Sequence, residues 1–361
     1  MKKVLEKIVK VVWIWAASIS LISCNLCPNS PSNEDLGNNA YFTFQTKSNS
    51  FAILKFNLND FSFSEILENA QNYSRPAQNG DISPIKMNEK LTELYLGNVN
   101  SKNFIKIESE NSIYTINKPV ISPKSNKVAF GGGSNQLYLW VNDLNSNSNY
   151  IEKVSSSFYD NSIPAFTNDG NYLVFIEKIE ETGVRIKVVE TESIDNTIYE
   201  KEFFGHFPVT NGINQLSTSE NRKVLFASTD GIAAYLNIVD LFNFTSEQIK
   251  LNSSLGATNA KISPDGNYII LISNDGNLWG LPLQNSDKKI FQISNNENCE
   301  YYLDFDWNKD SNKIIAFRKN CNDASSGSVG YLINLKLSSD NIELESEIYL
   351  CNDILTGFWG Y

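Results

Sequence analysis

Ile262-Ser-Pro-Asp-Gly-Asn-Tyr-Ile-Ile-Leu271 joins one apolar residue to a short apolar strand through a turn in which each residue type has a steric role. Pro264 fixes φ early in the turn, and Gly266 accepts the positive φ that other residues resist. Tyr268 to Leu271 then supplies β-branched and aromatic side chains suited to a pleated, buried strand. The stretch reads as a tight hairpin between two buried strands.

Four more segments share the pattern: Ile121-Ser-Pro-Lys-Ser-Asn-Lys-Val-Ala-Phe130, Phe166-Thr-Asn-Asp-Gly-Asn-Tyr-Leu-Val-Phe175, Leu216 through Phe226, and Trp307-Asn-Lys-Asp-Ser-Asn-Lys-Ile-Ile-Ala316. Their first residues lie 45, 50, 46 and 45 positions apart. A further strand follows in each: Leu137 to Val141, Arg185 to Val189, Tyr235 to Val239, Leu278 to Leu281 and, later in its copy, Tyr331 to Leu335. Elsewhere, runs of four to eight apolar residues alternate with Asn, Asp, Gly and Ser clusters, and no long stretch carries a helical period. The chain is all-β and built from repeats.

These residues resemble the WD-like propeller repeats of the TolB type, whose hallmark is a Ser-Pro-Asp-Gly turn between the two inner strands of a blade. Ile262 to Gly266 carries it fully; Ser122-Pro123-Lys124, Asn168-Asp169-Gly170 and Lys309-Asp310-Ser311 are decayed forms. The resemblance implies a β-propeller of four-stranded blades over residues 40–361, spanning most clearly Ile121 to Leu350. A four-stranded blade cannot bury both faces alone, so blades stack around an axis and close into a ring. The 322 residues from Ala40 to Tyr361 divide into seven blades at the observed period, with six, the number in TolB, as the alternative. The weaker copies fall at Tyr41 to Leu67 and Ile82 to Ile116. The first of them lacks an inner strand, and the apolar tail Ile354-Leu-Thr-Gly-Phe-Trp-Gly-Tyr361 is placed to supply it.

The N-terminus is of another kind. Lys2, Lys3, Lys7 and Lys10 precede the apolar run Val11 to Ile22, which is too short to span a bilayer as a helix. Leu21-Ile22-Ser23-Cys24 resembles a bacterial lipobox, which implies a signal peptide over residues 1–23, lipidation of Cys24 and a membrane as partner. Residues 24–39, rich in Asn, Ser and Pro, read as a tether. Removing residues 1–23 takes four lysines and one glutamate from 30 basic and 41 acidic residues, leaving 26 against 40 and a formal charge of −14. Such a body repels phosphate backbones, so nucleic acid is not an expected partner.

Four further cysteines lie in a compartment where disulfides persist. Folding the segment from Cys299 to Cys321 about the Asn308 to Asn312 turn sets the two thiols opposite each other, within disulfide reach. His206 is the one histidine, and no Gly-x-Ser-x-Gly elbow accompanies it. Asp304-Phe-Asp306-Trp-Asn308 spaces oxygens as a calcium loop does, but the repeat puts Trp307 on a core position and lets an extended strand point both carboxylates one way. Gly131-Gly132-Gly133 has no helix or Lys-Ser/Thr after it, and Ser273-Asn-Asp275-Gly276 reads as a hairpin turn. No catalytic residue, metal or cofactor is expected. The functional expectation is a lipid-anchored binding module of the cell envelope, facing an envelope protein, peptide or glycan. A glycan-active enzyme with axial carboxylates is the alternative.

Overall fold

Strand interiors such as Lys127–Gly132 are buried at every position, because each central strand is covered on both faces by neighbouring blades. The computed structural model describes residues 39–359 apart from 46–50, 73, 88–91, 108–115, 134, 144–147, 160–161, 181, 210–213, 297–298 and 323–326. Residues 1–38, which include the expected signal peptide, Cys24, Cys27 and most of the expected tether, and the last two residues lie outside the described residues.

The described residues form a seven-bladed β-propeller. Counting strands a to d from axis to rim, blade 6 is the simplest: Asn259–Ile262, Tyr268–Ile272, Leu278–Pro282 and Phe291–Gln292 pair antiparallel in sequence order. Blade 3 (Ile116 to Ser155) and blade 4 (Ala165 to Phe204) follow the same plan. In blade 5 the inner edge is split, with Phe207–Pro208 and Ser217–Thr218 both pairing Lys223–Thr229. Blade 2 begins at Ala70, and Ile116 opens blade 3, so the second weak repeat is shifted toward the N-terminus of its expected place.

Seven apolar clusters fill the seven gaps between neighbouring blades. Leu225, Leu236, Ile262 and Leu271 join blades 5 and 6, whereas Phe42, Phe56, Ile315 and Phe317 join blade 1 to blade 7. The latter gap closes the ring. Blade 1 has three strands of its own, Asn39–Gln45, Phe51–Asn57 and Ser62–Glu68. Its inner strand comes from the tail: the 18-residue strand Ile342–Trp359 is the rim strand of blade 7 and then pairs Ala40 with Trp359 and Tyr41 with Phe358.

Six turns between strands a and b share one geometry. Gly80, Ser125, Gly170, Arg222, Gly266 and Ser311 all have positive φ, between 60° and 85°. Each donates its N–H to the carbonyl three residues back, as Gly266 does to Ser263 at 2.9 Å and Ser311 to Asn308 at 3.2 Å. Blade 5 departs in length: its turn is one residue shorter, and Thr218 rather than Leu216 takes the place of Ile262.

Candidate functional site

Strand a alternates its side chains, so the residue just before the core position points to the axis. Around the ring this position is held by Phe358, Arg75, Val120, Ala165, Ser217, Lys261 and Asp306, one from each of blades 1 to 7 in order. Together they line an axial cavity of about 140 Å³ that opens on the face of the a–b turns, where Pro76, Pro123 and Pro264 form its lip. One arc is small and neutral (Val120, Ala165, Ser217), and the other carries charge.

The charged arc is closed on itself. Asp306 accepts Arg75 Nε at 2.9 Å and Nη2 at 3.0 Å, and its Oδ2 also accepts the backbone N–H of Trp359 at 2.9 Å. One layer deeper, Asp304 accepts Lys261 Nζ at 2.8 Å, Asn259 Nδ2 at 2.8 Å and the Thr356 hydroxyl at 3.2 Å. Lys261 also donates to the carbonyl of Phe305 and lies 5.4 Å from the Phe305 ring centroid. Both partners of the Lys261–Asp304 pair are almost wholly buried, so each charge depends on the other for its solvation. The alternating oxygens of Asp304 and Asp306 are therefore ion-paired to blades 6 and 2 and hydrogen-bonded to the inner strand of blade 1. Among the described residues no group of three His, Cys, Asp or Glu side chains could hold a metal ion.

The other sequence-marked residues lie elsewhere. Cys299 and Cys321 are disulfide-bonded, Cα atoms 5.4 Å apart, where strands a and b of blade 7 reach the opposite face. Beside the bond a cleft between blades 6 and 7 presents Asp275, Glu300 and Tyr301. Glu300 pairs with Arg318 at 3.2 Å. Burial would raise the Asp275 carboxyl, but hydrogen bonds from Ser273 and the Asn277 amide outweigh it and hold the group below its ordinary value. That is the wrong direction for a general acid. His206 sits edge-on to Tyr235, centroids 4.6 Å apart, with Nδ1 buried and without a hydrogen-bond partner among the described residues. The nearby Asp230 accepts the Ala233 and Ile232 amides and the Tyr235 hydroxyl, which hold its carboxyl well below the usual range. Its oxygens serve the turn and Tyr235, and it meets His206 through charge alone, with no hydrogen bond between the two among the described residues. Gly131 is structural, because an added Cβ would lie 2.1 Å from Asn117 Oδ1.

Arg75 and Lys261 are the axial charges that sequence reading missed, and Arg75 is the harder to see. It belongs to the weakest repeat, and its partner is 231 positions away. The readable signal was the opposite charge of Lys261 and Asp306 at equivalent positions of successive copies.

No known family and no curated protein matches the chain in sequence. Solved structures do match in fold. A protein from Lactobacillus plantarum superposes with a TM-score of 0.63 at 11% identity, over 90% of this chain and 99% of that one. TolB from Acinetobacter baumannii gives 0.50 at 11% identity, over 91% and 67%. The β-propeller domain of the Trilobed protease from Pyrococcus furiosus, described as having an open velcro topology, gives 0.57 at 14% identity, over 87% and 94%. The chain is thus similar in fold to TolB and to other β-propellers. The first blade of this chain is completed by the C-terminal strand.

Proposed function

We propose that the chain is a lipid-anchored β-propeller of the cell envelope, held to a membrane through Cys24, that binds an envelope protein, peptide or glycan without transforming it. The observation that carries this reading is the fate of the axial carboxylates. A carboxylate-based propeller enzyme would bring reactive acids together at the axis, and here Asp304 and Asp306 are spent on ion pairs that tie blades together. The cavity they border has a neutral arc and a fixed charged arc, a surface suited to holding a small polar or amphipathic group.

The lipidated protein, solubilised from membranes, serves as bait in envelope extract beside a Ser217→Trp variant that fills the axial mouth. A partner captured by the first and lost by the second supports the reading. Equal capture moves binding away from the axis, and turnover of envelope glycans by the purified protein would overturn it. Cys24→Ala is expected to leave the chain unprocessed or released from membranes; unchanged mass and unchanged detergent-phase partitioning would end the anchoring part.

A further inference from the structure

The core-position residues Ile121, Phe166, Thr218, Ile262 and Trp307 also border the axial cavity, although strand alternation turns their side chains away from the axis. They border it with main chain. In blade 4, Thr167 donates its N–H to the Tyr172 carbonyl at 3.0 Å, so these two form a hydrogen-bonded pair. Such pairs alternate along an antiparallel ladder, which makes Phe166 and Leu173 a pair that exchanges no bonds. The N–H and C=O of Phe166 therefore point away from strand b, toward the axis. The same alternation, set by the bonds of Ser122 to Lys127, Ser219 to Lys223, Ser263 to Tyr268 and Asn308 to Lys313, aims the main chain of the other four inward.

What meets these groups differs between the two arcs. On the charged arc the protein fills most of them itself: the Trp307 carbonyl accepts Arg75 Nη2, the Trp359 N–H goes to Asp306, and the Ile262 N–H goes to the Ser217 hydroxyl at 3.1 Å. On the neutral arc the Ile121 N–H reaches the Ser74 hydroxyl at 3.4 Å, and the Phe166 carbonyl accepts the Thr218 hydroxyl at 3.0 Å. The Ile121 carbonyl, the Phe166 N–H and both main-chain groups of Thr218 bond to no described residue. Two donors and two acceptors thus converge on a space of about 140 Å³, on the order of five water-sized groups. Val120, Ala165 and Ser217 are small enough to leave that main chain within reach, and the proline lip is apolar and offers no N–H.

Charge decides which class of group fits. A carboxylate would meet two carbonyls, and an ammonium would meet two N–H groups. Either would be desolvated without a counter-charge, because Arg75 with Asp306 and Lys261 with Asp304 already neutralise each other. Hydroxyls suit such an arc, since each both donates and accepts. A side-chain amide has the right polarity but fills only part of the space, whereas one pyranose carries several hydroxyls around an apolar ring that the prolines can cover. Resting on the axial-binding reading, we propose that the cavity holds a single neutral sugar ring of an envelope glycan, recognised by the main chain of Ile121, Phe166 and Thr218.

The test is amide NMR of the full chain, perdeuterated and labelled with nitrogen-15. It is titrated with the methyl glycosides of glucose, galactose, mannose and N-acetylglucosamine, and with propionamide as the side-chain amide probe. The expected result is a saturable shift of the Phe166 and Thr218 amides with at least one glycoside, lost in Ser217→Trp, whose remaining resonances report that it is folded. No saturable shift of these two amides with any of the glycosides overturns the proposal. If propionamide alone moves them, the site takes an amide side chain, so the sugar assignment falls and axial binding stands. If no probe moves them and an envelope partner is captured equally by the native chain and by Ser217→Trp, the axial reading falls with it.

Discussion

Blade 6 and blade 1 follow the same four-strand plan, but blade 6 is contiguous from Asn259 to Gln292 whereas blade 1 takes its inner strand from the far end of the chain. In blade 6 every pairing is local and each turn is closed by its own sequence, as Ser263-Pro-Asp-Gly266 shows. In blade 1 the pair Ala40 with Trp359 spans almost the whole described chain, so a large loop-closure entropy is met before the contact forms. What offsets it is concentrated at the seam: Ile354 and Trp359 buried with Phe42 and Phe317, and the backbone of Trp359 held by Asp306. The ring's integrity therefore depends more on one borrowed strand than on any native blade.

The largest break is removal of that strand. Truncation after Asn352 takes away Ile354, Phe358 and Trp359, all buried. At roughly 1.5–3 kcal/mol for each large apolar side chain, the loss is about 5 kcal/mol or more before backbone bonds are counted. The unpaired inner edge of blade 1 would also be open to association. A sharply lower thermal midpoint and larger species in size-exclusion chromatography are expected; a truncated chain as stable and monomeric as the whole would show that closure is not the seam.

The axial lock comes next. Asp304→Asn keeps the shape but leaves Lys261 charged and buried, a change expected to cost about 3–5 kcal/mol. Replacing both, Lys261→Met with Asp304→Leu, should cost clearly less, because no orphaned charge is left behind. Denaturant titration of the two variants decides it. Equal losses would mean that packing rather than charge holds blades 6 and 7 at the axis.

The disulfide belongs to the local side of the comparison. It staples strands a and b of blade 7 across 22 positions, a loop for which the chain-entropy argument gives about 3 kcal/mol. Cys299→Ser with Cys321→Ser should lower the free energy of unfolding, read by denaturant titration, by about that amount while leaving the tail strand paired. Hydrogen exchange at Tyr41 and Thr43 reads the seam separately and should stay slow.

The same contrast explains what could be read in advance. Turn chemistry is local, so Pro264 and Gly266 and their decayed relatives disclosed the repeat, the blade plan and, through the missing inner strand, the role of the tail. The axial lock is not local: Arg75 meets Asp306 across the ring, and no period announces a single pair. The blade 5 register escaped because a shortened turn puts polar Thr218 where the pattern favours an apolar residue, while the apolar Leu216 is buried two positions earlier. The αL position was legible in only half of its six turns, because Ser125, Arg222 and Ser311 adopt it without being glycine.

The smallest expected effect separates backbone strain from packing at that position. Gly170 and Gly266 have nearly the same φ, 68° and 70°. An added Cβ at Gly170 would meet nothing nearer than 3.6 Å, whereas at Gly266 it would lie 2.2 Å from Asn221 Oδ1. Gly170→Ala should therefore cost only the αL penalty, about 1–2 kcal/mol. Gly266→Ala adds displacement of Asn221, whose Nδ2 donates to the Asp265 carbonyl at 3.1 Å and links the turns of blades 5 and 6. Its cost should exceed that of Gly170→Ala by about the value of one hydrogen bond, 0.5–1.5 kcal/mol. If that link is the cause, Gly266→Ala placed on an Asn221→Ala background should cost no more than Gly170→Ala, a coupling that a double-mutant cycle measures directly. Equal costs for the two glycines in the native background would show instead that the turns of neighbouring blades act independently, and that only the backbone conformation is shared around the ring.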